Sequence, residues 1–338
     1  IHGIFPKASA NAGAFLCSIS LSYPPYAFHK LVKRQGAFFM LGWLEQVNES
    51  INGVVWGPVT LFLFLATGIW FTLGTGWFQL SKIGLIFRNT LGSLGKNRLR
   101  KNGGISPFQA MSTALAGTMG VGNITGIATA MTLGGAGSIF WMWISAFFGM
   151  MTKYAEVLLA VRYRQKGASG YFGGPMYYME KGVGSKVLAI IFSCLCIAAS
   201  LGVGNMTQSN AISLATNQLW SFPYWLSGLL TALAIGLVII GGIRRIALVT
   251  EWMIPFLSIG YLTCSILVLI LRADRLPEAI HLIFSSAFTP ASAAGGVAGY
   301  TVSQAMRFGF ARGIFSNEAG LGSAPIAHAS ADSSNPAA

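Results

Sequence analysis

Charge is what this sequence has least of. Only 9% of its 338 residues are charged, against roughly 25% in an ordinary soluble domain. That is too few to cover the surface of an aqueous core of this size. Acidic groups are scarcest: nine Asp and Glu against 22 Lys and Arg. Those near the apolar stretches are Glu156, Glu251 and Glu318, and none forms a pair of intramembrane carboxylates that could relay protons. Glu156 stands three residues after Lys153, helical neighbours able to pair, and Glu251 lies close enough to Arg244 and Arg245 to serve as a helix-end partner. Catalytic patterns are missing too. There is no HExxH and no Ser-His-Asp ordering within an apolar run, which argues against a membrane-embedded enzyme. The four cysteines, Cys17, Cys194, Cys196 and Cys264, make no disulfide framework and read as small packing residues. The four histidines, His2, His29, His281 and His328, lack metal-ligand spacing. No cofactor or metal site is expected.

Apolar residues are abundant, at 54%, and fall in long blocks. Residues 54–73, 138–161, 186–201, 223–241 and 248–271 each approach the 17–25 residues that cross a bilayer. Two more, 107–133 and 291–310, are apolar but rich in Gly, Ser and Thr. Seven spans follow, and with them an all-α, polytopic membrane protein embedded in the lipid bilayer.

A formal net charge of +13 would suggest nucleic acid in a soluble protein, but the positions of the charges exclude it. Lys82, Arg88, Lys96, Arg98, Arg100 and Lys101 separate the first two spans. Arg162, Arg164, Lys166 and Lys181 follow the third, and Arg244 and Arg245 the fifth. The alternate connections, 134–137 and 216–222, carry no charge. This alternation is the positive-inside pattern. It places the basic loops in the cytoplasm, residues 272–278 outside, and Arg312 inside again.

Residues 1–39 differ from the rest. They contain Pro24-Pro25 and no spanning run, and are expected to be a non-native or disordered segment, with translation starting at Met40. The transporter domain is expected over 40–338.

Within 107–133, the segment Gly120-Val121-Gly122-Asn123 falls near mid-span, with Gly117 and Gly126 on either side. One reading is close helix packing through small residues. The other is a helix broken at bilayer depth, tolerated only where unwound backbone lines a cavity or ligand site. A second glycine-rich span favours the break: 291–310 carries Gly295, Gly296 and Gly299. With four ordinary spans between them, the two stretches occupy the first and sixth positions of a core, and the charge pattern runs them in opposite directions. The expected fold is an inverted five-plus-five helix repeat with one extra N-terminal helix and an incomplete second repeat. The first repeat covers about 105–272 and the start of the second about 277–330. Residues 202–210, GVGNMTQSN, bring amides and hydroxyls to the outer end of the fourth stretch, where cost directs them to the bundle interior.

ALAGTMGVGNITGIATA (114–130), GGAGSIFWMWISAFFGMMTKYAEVLLAVRYR (134–164), GGPMYYMEKG (173–182) and ARGIFSNEAGLGSAPIAHA (311–329) resemble the alanine or glycine:cation symporter family, over roughly Met40 to Ser330. The resemblance implies the fold shared with neurotransmitter:sodium symporters and a C-terminally truncated chain. It implies uptake of small neutral amino acids, alanine or glycine, coupled to sodium across the inner (plasma) membrane by alternating access. Sodium is a coupling ion here and not a cofactor. The alternatives are a proton-coupled amino-acid carrier or a non-functional fragment of the symporter, and a passive channel is the competing class. By the same resemblance, Val121 and Gly122 stand where the family's Thr and second Gly of Gly-Thr-Gly-Asn contact substrate. More distant relatives hold the carboxylate through backbone N–H groups at Gly-Leu-Gly-Asn, which Val121 suits. The implied substrate set is Val121, Gly122, Asn123, Gln208, Tyr300 and Thr301. The implied sodium set is Ala116, Thr118, Met119 and Asn123.

Overall fold

The computed structural model describes residues 37–90, 105–167, 170–288 and 298–332. Most of the N-terminal segment 1–39 lies outside them, as do Lys96, Arg98, Arg100, Lys101, Gly295 and Gly296. The chain divides into two compact units, Ile1–Leu63 and Phe64–Ala338. The described part of the first unit is helix α1 (Ala37–Val55) and the start of α2 (Pro58–Gly74). The apolar block 54–73 thus straddles two helices, because Pro58 has no N–H to continue α1 and instead opens α2.

The second unit continues with α3 (Phe78–Ser81), α4 (Ile83–Thr90), α5 (Pro107–Thr118), α6 (Gly122–Gly134) and α7 (Gly137–Arg162). A short antiparallel hairpin follows, β1 (Gln165–Gly167) and β2 (Gly170–Phe172). Then come α8 (Pro175–Lys181), α9 (Lys186–Ala199), a π-helical segment (Ser200–Met206), α10 (Thr207–Trp220), α11 (Tyr224–Ile239), α12 (Gly242–Leu271), α13 (Leu276–Phe288), α14 (Ala298–Asn317) and α15 (Ser323–Ala329). Among the described residues, four helical runs are long and apolar enough to cross a membrane: Glu45–Gly74, Gly137–Arg162, Lys186–Trp220 and Gly242–Leu271.

Many large apolar side chains are exposed, while some small polar ones are buried. Ser112 and Ser138 are 1% and 0% exposed, while Trp252 and Ile240 are 80% and 84% exposed. Contiguous apolar surface of this kind is what a lipid environment accommodates.

The span 107–133 is interrupted. α5 ends at Thr118, Met119 leaves helical geometry with φ −85° and ψ 79°, and α6 begins at Gly122. A second interruption separates α14 from α15, where Glu318, Gly320 and Gly322 take φ of 51°, 87° and 80°. Two of these are glycines, which accept the left-handed region without a Cβ penalty. The glycines singled out in 291–310 do not mark this break: Gly299 belongs to α14 itself. The two interrupted helices pair half by half. A Cβ on Gly134, at the end of α6, would approach Phe308 Cβ to 3.1 Å. At the opposite ends, Ile105 bridges to Ala331, with the Asp332 N–H donating to the Ile105 carbonyl at 2.8 Å.

α14 also packs closely on α7. A Cβ on Gly309 would stand 2.5 Å from the Ser138 carbonyl oxygen, and one on Gly313 2.7 Å from Ser145 Cβ. Here small residues four apart do let two helices approach.

Residues 202–210 occupy a different place from the one expected. They are not at an outer end but midway along Lys186–Trp220, wound partly as the π segment. Such bulges recur at functional positions.

Candidate functional site

The site is built around the interruption at 119–121. α5 is held firmly up to that point. Ser106 accepts from the Gln109 N–H at 3.1 Å while the Ser106 N–H donates to Gln109 Oε1 at 3.0 Å, a reciprocal cap that satisfies two otherwise orphaned donors. Gln109 Nε2 donates onward to Glu251 Oε2 at 2.7 Å, and the Thr113 and Thr250 hydroxyls meet at 3.0 Å. Glu251 therefore anchors α5 to α12 rather than serving only its own helix end.

At the break the chain leaves its ladder. The Gly120 N–H bonds to Thr118 O at 3.1 Å, not to Ala116 four residues back, which frees the Ala116 carbonyl at the negative end of a helix dipole. Asn123 Nδ2 donates to Thr118 O at 2.9 Å, leaving its Oδ1 open to a cation. Thr118 O already accepts from both Gly120 and Asn123, and the Thr118 hydroxyl donates to Ala114 O at 2.8 Å. The Ala116 carbonyl and the Asn123 amide oxygen are thus left uncommitted, while the Thr118 carbonyl is doubly engaged.

Gln208, on the first turn of α10, reaches the break. Its Oε1 accepts the Val121 N–H at 3.0 Å, and its Nε2 lies 2.5 Å from where a Cβ on Gly120 would be. A side chain at Gly120 would press on the Gln208 amide and displace it from the Val121 N–H. Gln208, Val121, Gly122 and Asn123 are therefore brought together. Tyr300 and Thr301 fall on α14, but their side chains lie outside the described residues. The Val121 N–H is already taken, and the next donors, Asn123, Ile124 and Thr125, bond to the carbonyls of Gly120 and Val121. Among the described residues, Gly122 is left with the one uncommitted N–H of the four that open α6.

Arg312, expected on the inner side just beyond the span 291–310, lies within α14 and against α6. A Cβ on Gly122 would stand 2.8 Å from Arg312 Nη2, and one on Gly126 would overlap the guanidinium itself. Gly122 and Gly126, four apart on one helix face, were a usable signal, since a groove of that kind admits either a helix or a large side chain.

Lys153 and Glu156 make no direct ion pair with each other, and each reaches the second break. Lys153 Nζ donates to Asn317 O at 2.8 Å, and Glu156 Oε2 accepts the Gly320 N–H at 2.9 Å. Arg275, far from this break in sequence, pairs with Asp274 and Glu278. On α8, outside the spans, burial and then the nearby Glu156 push the Tyr178 hydroxyl up to about 12, so it stays protonated across the physiological range.

The profile of the sodium:alanine symporter family matches residues 41–338. An uncharacterized transporter of Haemophilus influenzae is 44% identical over 295 residues, 87% of this chain and 64% of that protein. The sodium/alanine symporter AgcS of Methanococcus maripaludis is 41% identical, over 88% of this chain and 65% of its own length. The probable sodium/glutamine symporter GlnT of Bacillus subtilis is 39% identical, over 87% and 60% respectively. The chain thus spans somewhat under two-thirds of the length of these relatives, which are transporters and not enzymes. With its profile matched from residue 41 to 338, the chain belongs to the sodium:alanine symporter family.

Proposed function

We propose that this chain forms the greater part of a secondary active transporter that imports a small neutral amino acid, alanine or glycine, together with sodium across the inner (plasma) membrane. The observation that carries this reading is the pairing of two interrupted helices, α5–α6 with α14–α15, with Gln208 hydrogen-bonded into the first interruption. Four longer helical runs, α7, α9–α10, α11 and α12, stand between them beside the shorter α8 and α13, a number that fits an inverted five-plus-five repeat. The first repeat then covers about 105–272 and the second begins at about 277–330 within a domain of 40–338.

In this reading Gly122, Val121, Asn123 and Gln208 surround the amino acid, with Tyr300 and Thr301 approaching from α14. Ala116, Met119 and Asn123, with the Thr118 hydroxyl, offer neutral oxygens to sodium. Oxygen dipoles at the end of a half-helix suit a hard monovalent cation, and binding of both solutes at the break favours rocking between two access states over a continuous pore. AgcS is named for sodium and alanine and GlnT for sodium and glutamine; the glycine at 120 and the glutamine filling the space beside it favour the smaller substrate.

The test is counterflow in proteoliposomes containing the full-length protein. Internal unlabelled alanine should drive transient accumulation of labelled alanine when sodium is present on both sides. Simple equilibration without overshoot would point to a channel. Uptake that persists without sodium and collapses with a protonophore would point to the proton-coupled alternative.

A further inference from the structure

The interruption at 119–121 lies beside a positive charge that nothing in the described protein neutralises. Arg312 Nε and Nη2 are buried without a hydrogen-bond partner. The guanidinium lies 4.9 Å from the centre of the Phe315 ring, a contact with an aromatic face that offers a cation weak attraction and no counter-charge. Arginine cannot shed its proton in a protein, so desolvating it without an anion is strongly unfavourable. The surroundings are nevertheless shaped to receive it. Gly122 and Gly126 lack the Cβ atoms that would strike Nη2 and Cζ, and Gly122 carries the uncommitted N–H of the α6 start.

We propose that Arg312, seated in the Gly122–Gly126 groove, binds the carboxylate of the transported amino acid. The proposal rests on the transport reading above and adds the residue that supplies its counter-charge. A half-helix start holds a carboxylate through several N–H groups, but here Asn123, Ile124 and Thr125 are bonded within the chain and Val121 is bonded to Gln208. One N–H from Gly122 and two donors from Arg312 make up the shortfall. A planar guanidinium matches the two oxygens of a carboxylate. The same chemistry could hold a bound chloride ion, and the test separates the two.

The measurement is calorimetric titration of the purified full-length protein in sodium gluconate and in sodium chloride, with L-alanine and L-alaninamide as ligands. The amide keeps the ammonium and the methyl group but removes the negative charge. Wild-type protein should favour alanine strongly over the amide in both salts. Arg312→Gln should lose alanine affinity by roughly 10- to 100-fold, the range for a hydrogen bond to a charged group, and should discriminate poorly between the two ligands. Gly126→Ala keeps the charge but evicts the guanidinium, and should do the same; it decides the matter if Arg312→Gln does not fold. Undiminished preference for alanine in a folded variant overturns the proposal. So does wild-type alanine affinity that depends on chloride, with that dependence alone lost in Arg312→Gln. If wild-type protein binds no alanine in sodium, the transport reading fails and this one with it; retained preference in the variants removes Arg312 alone.

Discussion

At Gly122 a single hydrogen atom stands where any side chain would meet a neighbour. A Cβ there would meet Arg312 Nη2 at 2.8 Å, and valine would push two further carbons into the same space. Gly122→Val is expected to abolish alanine binding in correctly folded protein, whereas Val121→Thr, which restores the commoner family residue, should be tolerated. Equilibrium binding on monodisperse protein distinguishes the two; normal affinity in Gly122→Val would return this glycine to a packing role. Gln208 offers a complementary check. Removing its side chain leaves the half-buried Val121 N–H without an acceptor, at a cost of about 1–3 kcal/mol. Gln208→Ala should lower the melting temperature modestly and weaken alanine binding more than stability alone explains, while Gln208→Glu, which keeps the acceptor, should retain most stability.

At the scale of elements, α5 is a helix fastened at its beginning and released at its end. The Ser106–Gln109 cap and the Gln109–Glu251 hydrogen bond fix its first turn. Ser106→Ala should therefore cost about 1 kcal/mol, read as a lower melting temperature with sodium dependence unchanged. Gln109→Leu removes the reciprocal bond and leaves the Glu251 carboxylate without its donor, so a larger loss is expected. The interruption of this helix was legible because Gly120-Val121-Gly122-Asn123 breaks a periodic apolar run with residues that have poor helical propensity. The second interruption was harder to locate. Ser316-Asn317-Glu318-Ala319-Gly320 follows a polar-looking stretch, and two ionisable side chains from α7 hold it, a relation between residues 164 positions apart that no local pattern reveals. The π segment was missed for a related reason. Its hydroxyls and amides suggest a helix end, yet a helix of 35 residues keeps them in its middle.

For the whole molecule, composition pointed to the membrane, and charge alternation is the ground for the expected orientation of the loops. Both act over many residues, so single departures do not disturb them. Arg312 is such a departure. Counting it among loop cations agreed with the alternation, but it lies within α14 and against α6, where a partly buried charge in a membrane protein marks a candidate site. Coupling is a property of the whole molecule too. Neutral oxygens at the break predict that alanine uptake by the full-length protein requires sodium and survives a protonophore, measured as initial rates in proteoliposomes with choline replacing sodium.

The two breaks are not equally restrained. The second is tied to α7 by an ammonium and a carboxylate, and its upper half is seated on that helix backbone to side chain through Gly309 and Gly313. The first is hydrogen-bonded from other helices by a neutral amide at Val121 and by a 3.5 Å contact between the Ser258 hydroxyl and Met119 sulfur, while the Arg312 guanidinium lies against Gly122 without a hydrogen bond. One arm of the crossed pair is thus clamped to a post while the other hangs on a light latch. Backbone amides at 119–123 should accordingly exchange with deuterium faster than those at 318–322, since local opening follows the weakest restraint. Glu156→Ala should narrow that gap by loosening the post, and Glu156→Gln, which still accepts from Gly320, should leave it open.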